Sequence, residues 1–324
     1  MSYSEGDHRG GEPDSAYVVE IKTVQALAFK ALFEGLKELL TDVPLEIDAS
    51  GIRLSALDTS HVVLTNVRLS ADRFDYYHVS EERIRIGINV LQLCKLLRSV
   101  SNSDTLTLFM EDAAGNLGIR IESRERNAKT VFNLNLLDLP DEESCPITGS
   151  ASFEDIVILD SGDMQRLCRD MNAIADSVEI RVVRGEVTFS CKGEFCTQET
   201  VLYNMKDDGC GSGYDDQGGG DQRGKRGPGG PRGEPASPQR PDGPLGSLGP
   251  VGPVGPHGGM QPYSPSDEIQ HGIFSLKFMT HFTKFGALSD VVEILLRNNF
   301  PLCVRYNVAS LGELKLAIAP QLPD

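Results

Sequence analysis

The chain reads as an α+β protein of two similar domains, each built from two strand-helix-three-strand units, with antiparallel sheets covered on one face by helices. Three observations point there. One order of apolar patterns recurs four times. The extended runs in each recurrence alternate apolar and polar residues, as half-buried strands do. Short polar turns join consecutive runs, which makes their pairing antiparallel.

The first unit opens with VVEIK (Val18 to Lys22), continues with a helical stretch from Val24 to Leu40, and closes with LEID, IRLSALD and VVLTNVRLS. RIRIGI (Arg83 to Ile88) starts the second, followed by a helix over Val90 to Val100 and by TLTLFME, LGIRIES and VFNLNLL. FEDIVIL (Phe153 to Leu159), a helix from Ser161 to Ala175, and VEIRVV, EVTFSCKG and TVLYNM make the third. The fourth has IFSL, a helix over Lys277 to Phe285, then VVEILLR, LCVRYNVA and ELKLAIA. Pairing the units gives a first domain over 17–135, a connector over 136–152 and a second domain over 153–324, after a disordered tail over 1–16.

The second domain is interrupted at 207–265. That stretch holds 18 of the 33 glycines and 11 of the 18 prolines, with few large apolar side chains, so it is expected to be a disordered insertion. Glycine recurs every third residue at Gly224 to Gly233 and again from Gly243 to Gly258. A collagen triple helix needs that period unbroken in three chains, and here it slips, which favours a flexible linker.

Composition excludes several classes. In 324 residues, 40% are apolar and 24% charged, enough for two cores. No apolar run approaches the ~18 residues of a membrane helix, and the first residues are polar and acidic, so neither secretion nor membrane contact is expected. Seven cysteines without a C-x-x-C pair suggest a reducing compartment. With 47 acidic against 31 basic side chains, the net charge is -16, so any nucleic-acid binding must come from a local basic patch.

Each helix supplies such a patch. Lys30 and Lys37, Lys95 and Arg98, Arg166 and Arg169, and Lys277 and Lys284 are spaced to share one face of their respective helices. They are either solvated faces balanced by Glu34, Glu38, Asp163 and Asp170, or contacts to one anionic ligand lying across four equivalent helices. Their repetition favours the second. Lysine and arginine without Asn/Gln clusters neutralise phosphates but do not read bases. Aromatics total 6% and Trp is absent, which disfavours single-strand stacking. The expected ligand is duplex DNA, held loosely.

VQALAFKALFEGLKELL (Val24 to Leu40), LSALDTSHVVL (Leu54 to Leu64), SGDMQRLCRDM (Ser161 to Met171) and LKLAIAPQL (Leu314 to Leu322) resemble, in order, segments of the proliferating cell nuclear antigen family, the eukaryotic-type DNA sliding clamps. The resemblance covers Tyr17 to Met205 and about Ile269 to Leu322. It implies the DNA clamp (processivity) fold: a homotrimeric ring with helices lining the hole and sheets outside, tethering DNA polymerase to duplex DNA. The implied DNA-facing positions are the eight basic residues above. A pocket for the family's clamp-interacting peptide, which carries a glutamine and paired aromatics, falls on Leu57, His61, Val62, Leu64, Ile147, Phe153, Pro301, Ala319, Pro320 and Leu322. Subunit closure is implied between Val131, Phe132 and Leu134 of one chain and Thr200, Val201, Leu202 and Tyr203 of the next. The insertion starts just after that second edge, where the family has a short acidic loop. The connector is about two residues longer than usual, Ala317 stands where a tyrosine is often found, and Arg184 where a lysine is often modified.

No catalytic constellation, metal site or cofactor is expected. Gly219 to Lys225 nearly spells a phosphate loop, but Arg226 replaces the hydroxyl residue and no strand or helix flanks it. Cys191 and Cys196 lack the further ligands of a zinc site. The leading expectation is a non-enzymatic clamp for DNA replication and repair, loaded by a clamp loader, acting in the nucleus or, in a large DNA virus, at a cytoplasmic replication site. Three alternatives stay open: a subunit of a heterotrimeric checkpoint clamp, a monomeric polymerase accessory factor, and a structural protein in which the Gly-Pro segment is the working part.

Overall fold

The computed structural model describes residues 17–111, 115–140, 155–183, 186–203 and 269–321, all within one compact unit. The N-terminal tail, most of the connector and the Gly/Pro insertion lie outside the described residues, as do the expectations for them.

All four units are present. The first is β1 (Val19–Thr23), α1 (Ala26–Leu36), β2 (Asp42–Asp48), β3 (Gly51–Leu57) and β4 (Val63–Ser70). A 3-10 turn (Ala71–Arg73) and a short strand, β5 (Tyr76–Val79), follow it. The second is β6 (Arg83–Asn89), α2 (Val90–Leu97), β7 (Asp104–Met110), β8 (Asn116–Ser123) and β9 (Ala128–Asn135). The third is β10 (Asp155–Asp160), α3 (Ser161–Asn172), β11 (Ser177–Val183), β12 (Glu186–Lys192) and β13 (Thr197–Tyr203). The fourth is β14 (Gln270–Ser275), α4 (Leu276–Phe282) with a 3-10 turn (Thr283–Ala287), β15 (Val291–Leu296), β16 (Leu302–Val308) and β17 (Gly312–Ile318).

Local chemistry explains the boundaries. Asn89 and Asp160 cap α2 and α3, their side chains accepting from the backbone N–H of Gln92 (3.0 Å) and Asp163 (2.9 Å). Helix α1 is shorter than the periodicity predicts. At its start the Val24 N–H is drawn away to the Asp75 carboxylate (2.7 Å), and at its end Glu38 and Leu39 donate to Gly35 and Leu36 in a tightened turn. Strand β5 was not legible in YYHV. It forms because β1 offers an edge, and because the Tyr77 hydroxyl donates to the Asp48 carbonyl (2.7 Å) while its ring packs on Phe74.

The sheets differ from a simple reading of the units in one respect. The opening strand of each unit pairs into the sheet of its neighbour: β1 beside β7, β6 beside β2, β10 beside β15 and β14 beside β11. Each domain is thereby laced together by exchanged strands. The resulting orders are β5-β1-β7-β8-β9, β10-β15-β16-β17-β4-β3-β2-β6 and β13-β12-β11-β14. The eight-stranded sheet spans both domains through the antiparallel pair β17 and β4.

One core lies between sheets and helices, filled by Phe29, Leu32 and Leu36 of α1, Leu93 and Leu97 of α2, Met164 and Met171 of α3, and Met279 and Phe282 of α4. Gly35, inside α1, costs about 1 kcal/mol of helix propensity relative to alanine. Its role is close approach: a Cβ there would sit 2.3 Å from Cε1 of Phe285, on the turn after α4. Gly35→Leu is expected to destabilise the fold by about 1–3 kcal/mol through overpacking, read as a lower urea midpoint.

Candidate functional site

The helices form one continuous layer: α1 packs on α2, α4 on α3, and α1 meets the turn Thr283–Ala287. Lys37, Lys95, Arg98, Arg166, Arg169, Lys277 and Lys284 are exposed on that layer. Lys95, Arg98 and Lys284 have no ion-pair partner among the described residues. Acidic neighbours partly offset three others: Glu38 lies 3.8 Å from Lys37, Asp163 bonds Arg166, and Asp170 lies 3.4 Å from Arg169. These exposed pairs are worth little and would yield to a phosphate. The Lys277 ammonium rests 5.8 Å from the centre of the Phe278 ring.

Lys30 departs from the expectation. It is half-buried, and its ammonium donates to the carbonyls of Arg98 (3.0 Å) and Val100 (3.1 Å) at the end of α2. There it satisfies the orphan carbonyls of a helix C-terminus and fixes Arg98. His281 lies between Lys277 and Lys284. Burial holds its imidazole below the ordinary value, with Glu38, in the turn after α1, pulling it up and the two lysines pushing it down.

The opposite face of the eight-stranded sheet carries an apolar row. Pairing places Leu57 opposite Leu64, Leu64 opposite Ala317, Ala317 opposite Cys303, Cys303 opposite Leu295 and Leu295 opposite Ile156. Leu64 and Ile156 pack on Leu295, Cys303 and Ala317 as a cluster separate from the main core, while Leu57 is 42% exposed. Ile156, Leu295 and Cys303 were not singled out from the sequence. The signal was present in DIVILD and VVEILL, where apolar residues fill both faces of a strand that should be polar on one. Pro301 is half-buried beside this row, and Ala319 and Pro320 are exposed. Ile147, Phe153 and Leu322 lie outside the described residues, as does Arg184.

Between β3 and β4 the loop bearing His61 and Val62 is built on Asp58. This carboxylate, 5% exposed, accepts from the Ser60 hydroxyl and from the backbone N–H of Ser60 (3.0 Å), Val62 (2.8 Å) and Val63 (2.6 Å). His61 takes a left-handed conformation (φ 56°) to complete the turn, and the Ala319 N–H donates to the Val62 carbonyl at 3.2 Å. Burial pushes the Asp58 carboxyl up, but the hydrogen bonds outweigh it and hold it below the ordinary value. A depressed folded value adds stability above the unfolded value of about 3.9, lost as pH falls through the folded one. Asp58→Ala is expected to cost about 1–3 kcal/mol at neutral pH by orphaning these donors. Urea titrations should show the gap to wild type narrowing below about pH 4.

Among the described residues, strands β9 and β13 each end a sheet, β9 pairing only with β8 and β13 only with β12. Val131 (47%) and Val201 (39%) are exposed, and Phe132, Thr200 and Leu202 are half-buried. Leu134, at 4% exposure, has its side chain in the chain's own core and offers a neighbour its backbone. The Tyr203 side chain lies outside the described residues.

Among the described residues no His/Cys/Asp/Glu group could hold a metal ion, and no helix is long and apolar enough to cross a membrane. Burial raises the Cys168 thiol to about 12 and the Cys303 thiol to about 11, which makes both packing groups.

Two family models match: the N-terminal domain of proliferating cell nuclear antigen over residues 18–144, and its C-terminal domain over 148–209 and 266–321. The chain is 30% identical over 314 residues to a probable DNA polymerase sliding clamp 1 of Paramecium bursaria Chlorella virus 1, covering 95% of this chain and 99% of that protein. It is 28% identical over 312 residues to the proliferating cell nuclear antigen of Chaetomium thermophilum, again covering 95% and 99%. The crystal structure of the Entamoeba histolytica homologue superposes with a TM-score of 0.70 at 21% identity, over 94% of this chain and all of that one, which shows the shared fold. With both domains matched in order across most of its length, this chain belongs to the proliferating cell nuclear antigen family of non-catalytic sliding clamps.

Proposed function

We propose that three copies of this chain close into a ring around duplex DNA, helices toward the hole and sheets outside. The observation that carries this reading is the single helical layer whose exposed cations recur in every unit of a chain with net charge -16. Charge concentrated on one surface holds a polyanion that the rest of the molecule repels. The contacts go to phosphates, so they are independent of sequence and loose enough for sliding. Processivity then comes from closure. The unpaired edges of β9 and β13 support a head-to-tail junction by strand addition.

On the outer face, the apolar row and the loop built on Asp58 form the pocket for the paired aromatics of a clamp-interacting peptide. DNA polymerase, the clamp loader and repair proteins are the partners that carry such peptides. The place of action is wherever the duplex is replicated: the nucleus, or a cytoplasmic replication site if the gene is viral.

Gel filtration with light scattering should give a particle of three times 35.3 kDa. A ring loaded on DNA should resist high salt on a closed circle and slip off a linear duplex. A lone chain at micromolar concentration overturns the homotrimer in favour of a heterotrimeric clamp subunit or a monomeric accessory factor. Equal loss from circle and line overturns encirclement.

A further inference from the structure

The outer face of the eight-stranded sheet holds a second row, four residues along the strands from the apolar one. Strand pairing sets Arg85 opposite Glu46, Glu46 opposite Arg53, Arg53 opposite Arg68 and Arg68 opposite Glu313. Direct juxtaposition of two arginines across an antiparallel pair is destabilising, because their Cβ atoms are only about 5 Å apart.

The carboxylates on this face leave Arg68 without a partner among the described residues. Asp48 takes Arg53, and Glu46 is bonded by Arg83. Glu313, directly opposite Arg68, turns instead to Lys315 (2.7 Å) and lies 4.0 Å from Arg305. Arg68 is exposed and has no ion-pair partner among the described residues. Arg85 spends one N–H on the Pro140 carbonyl (3.0 Å), at the wall of a groove of about 400 Å³ between β6 and the start of the connector. Arg68 therefore stands opposite a second arginine as an exposed cation, in a protein whose overall charge is strongly negative.

We propose that this arginine row is a specificity element which selects partner peptides with an acidic segment flanking their aromatic anchors. The inference rests on the peptide-pocket reading above and adds the chemistry of the flank. Leu57 and Arg53 lie on one strand, Leu64 and Arg68 on the next, each pair four residues and so about 14 Å apart. An extended peptide anchored on the apolar row reaches the arginines with about four residues. Bidentate pairing of a carboxylate with Arg68 supplies the counter-charge that the folded chain, having given Asp48 to Arg53, does not provide. A nucleic-acid ligand fits less well, because the row shares its face with the apolar cluster and lies on the side of the sheet turned away from the helices.

Fluorescence anisotropy with three labelled peptides tests this. All carry the same glutamine-and-paired-aromatic core, flanked on both sides by four Glu, four Ser or four Lys. The full chain should bind the Glu-flanked peptide about tenfold more tightly than the Lys-flanked one at low salt, with the preference shrinking as salt rises. The double variant Arg53→Ser/Arg68→Ser should lose that preference and keep its affinity for the Ser-flanked peptide. Arg68→Glu should move the preference toward Lys. Circular dichroism confirms the fold of each variant.

Equal affinity of the wild type for all three peptides overturns the proposal and leaves the pocket standing. No binding of any peptide overturns the pocket and the row together. A preference that survives in the double variant places its source elsewhere. Displacement of the Glu-flanked peptide by a duplex oligonucleotide, lost in the double variant, assigns the row to phosphate instead.

Discussion

Replacing Lys95, Arg98, Arg166 and Arg169 with glutamate is expected to abolish polymerase stimulation while the ring stays assembled. The four side chains are exposed on α2 and α3 and touch none of the core, so the fold has no stake in their charge. A surface that holds DNA has a large one. Each substitution removes a cation that releases a counterion from the duplex and leaves a repelling carboxylate. Asp163 and Asp170, now paired with Arg166 and Arg169, would be freed to repel as well. Stimulation on primed circular template should fall by at least about tenfold, and the loss should be larger at low salt, where charge is least screened. Lys30→Gln makes a contrasting case. Because its ammonium holds the carbonyls of Arg98 and Val100, it should weaken the end of α2 and act on DNA through Arg98. Full stimulation by the fourfold variant would remove these helices from the DNA-binding surface.

Much of this arrangement could be read from the residues themselves. Alternation located nearly every strand, and the 3.6-residue period located all four helices, because each element buries one face against a common core. The exposure of seven cations followed from the same logic, since they sit off the apolar stripe. What local pattern could not convey is long-range pairing. Nothing within VVEIK says that β1 belongs beside β7, or that β17 continues across to β4, because the partner of a strand is chosen by how the layers close. The engagement of Lys30 was hidden for the same reason, its partners lying 68 and 70 residues away. Leu134 lies on the buried side of the β9 alternation, so its part in an edge is played by its backbone. The outer apolar row needed three distant chain regions brought into register before Ile156, Leu295 and Cys303 joined Leu64 and Ala317.

A chain carrying Val131→Asp and Val201→Asp is expected to run as a folded monomer. In a head-to-tail ring every junction is the same, one β9 edge against one β13 edge, so a single altered chain weakens all the contacts at once. Both valines stand exposed on the outermost strands, where replacing them costs the monomer about 1 kcal/mol or less of strand propensity. At a junction the two aspartates would be desolvated close to one another without a counter-charge, which costs several kcal/mol. The backbone ladder cannot compensate, because its bonds merely exchange for bonds to water. Light scattering should report 35.3 kDa, and salt-resistant retention on circular DNA should vanish. Peptide binding should persist, since the apolar row lies within one chain on the eight-stranded sheet, whereas β9 and β13 belong to the other two. Intact trimers from the double variant would mean that closure uses other surfaces, and loss of peptide binding together with closure would mean that the pocket is completed by the neighbouring subunit.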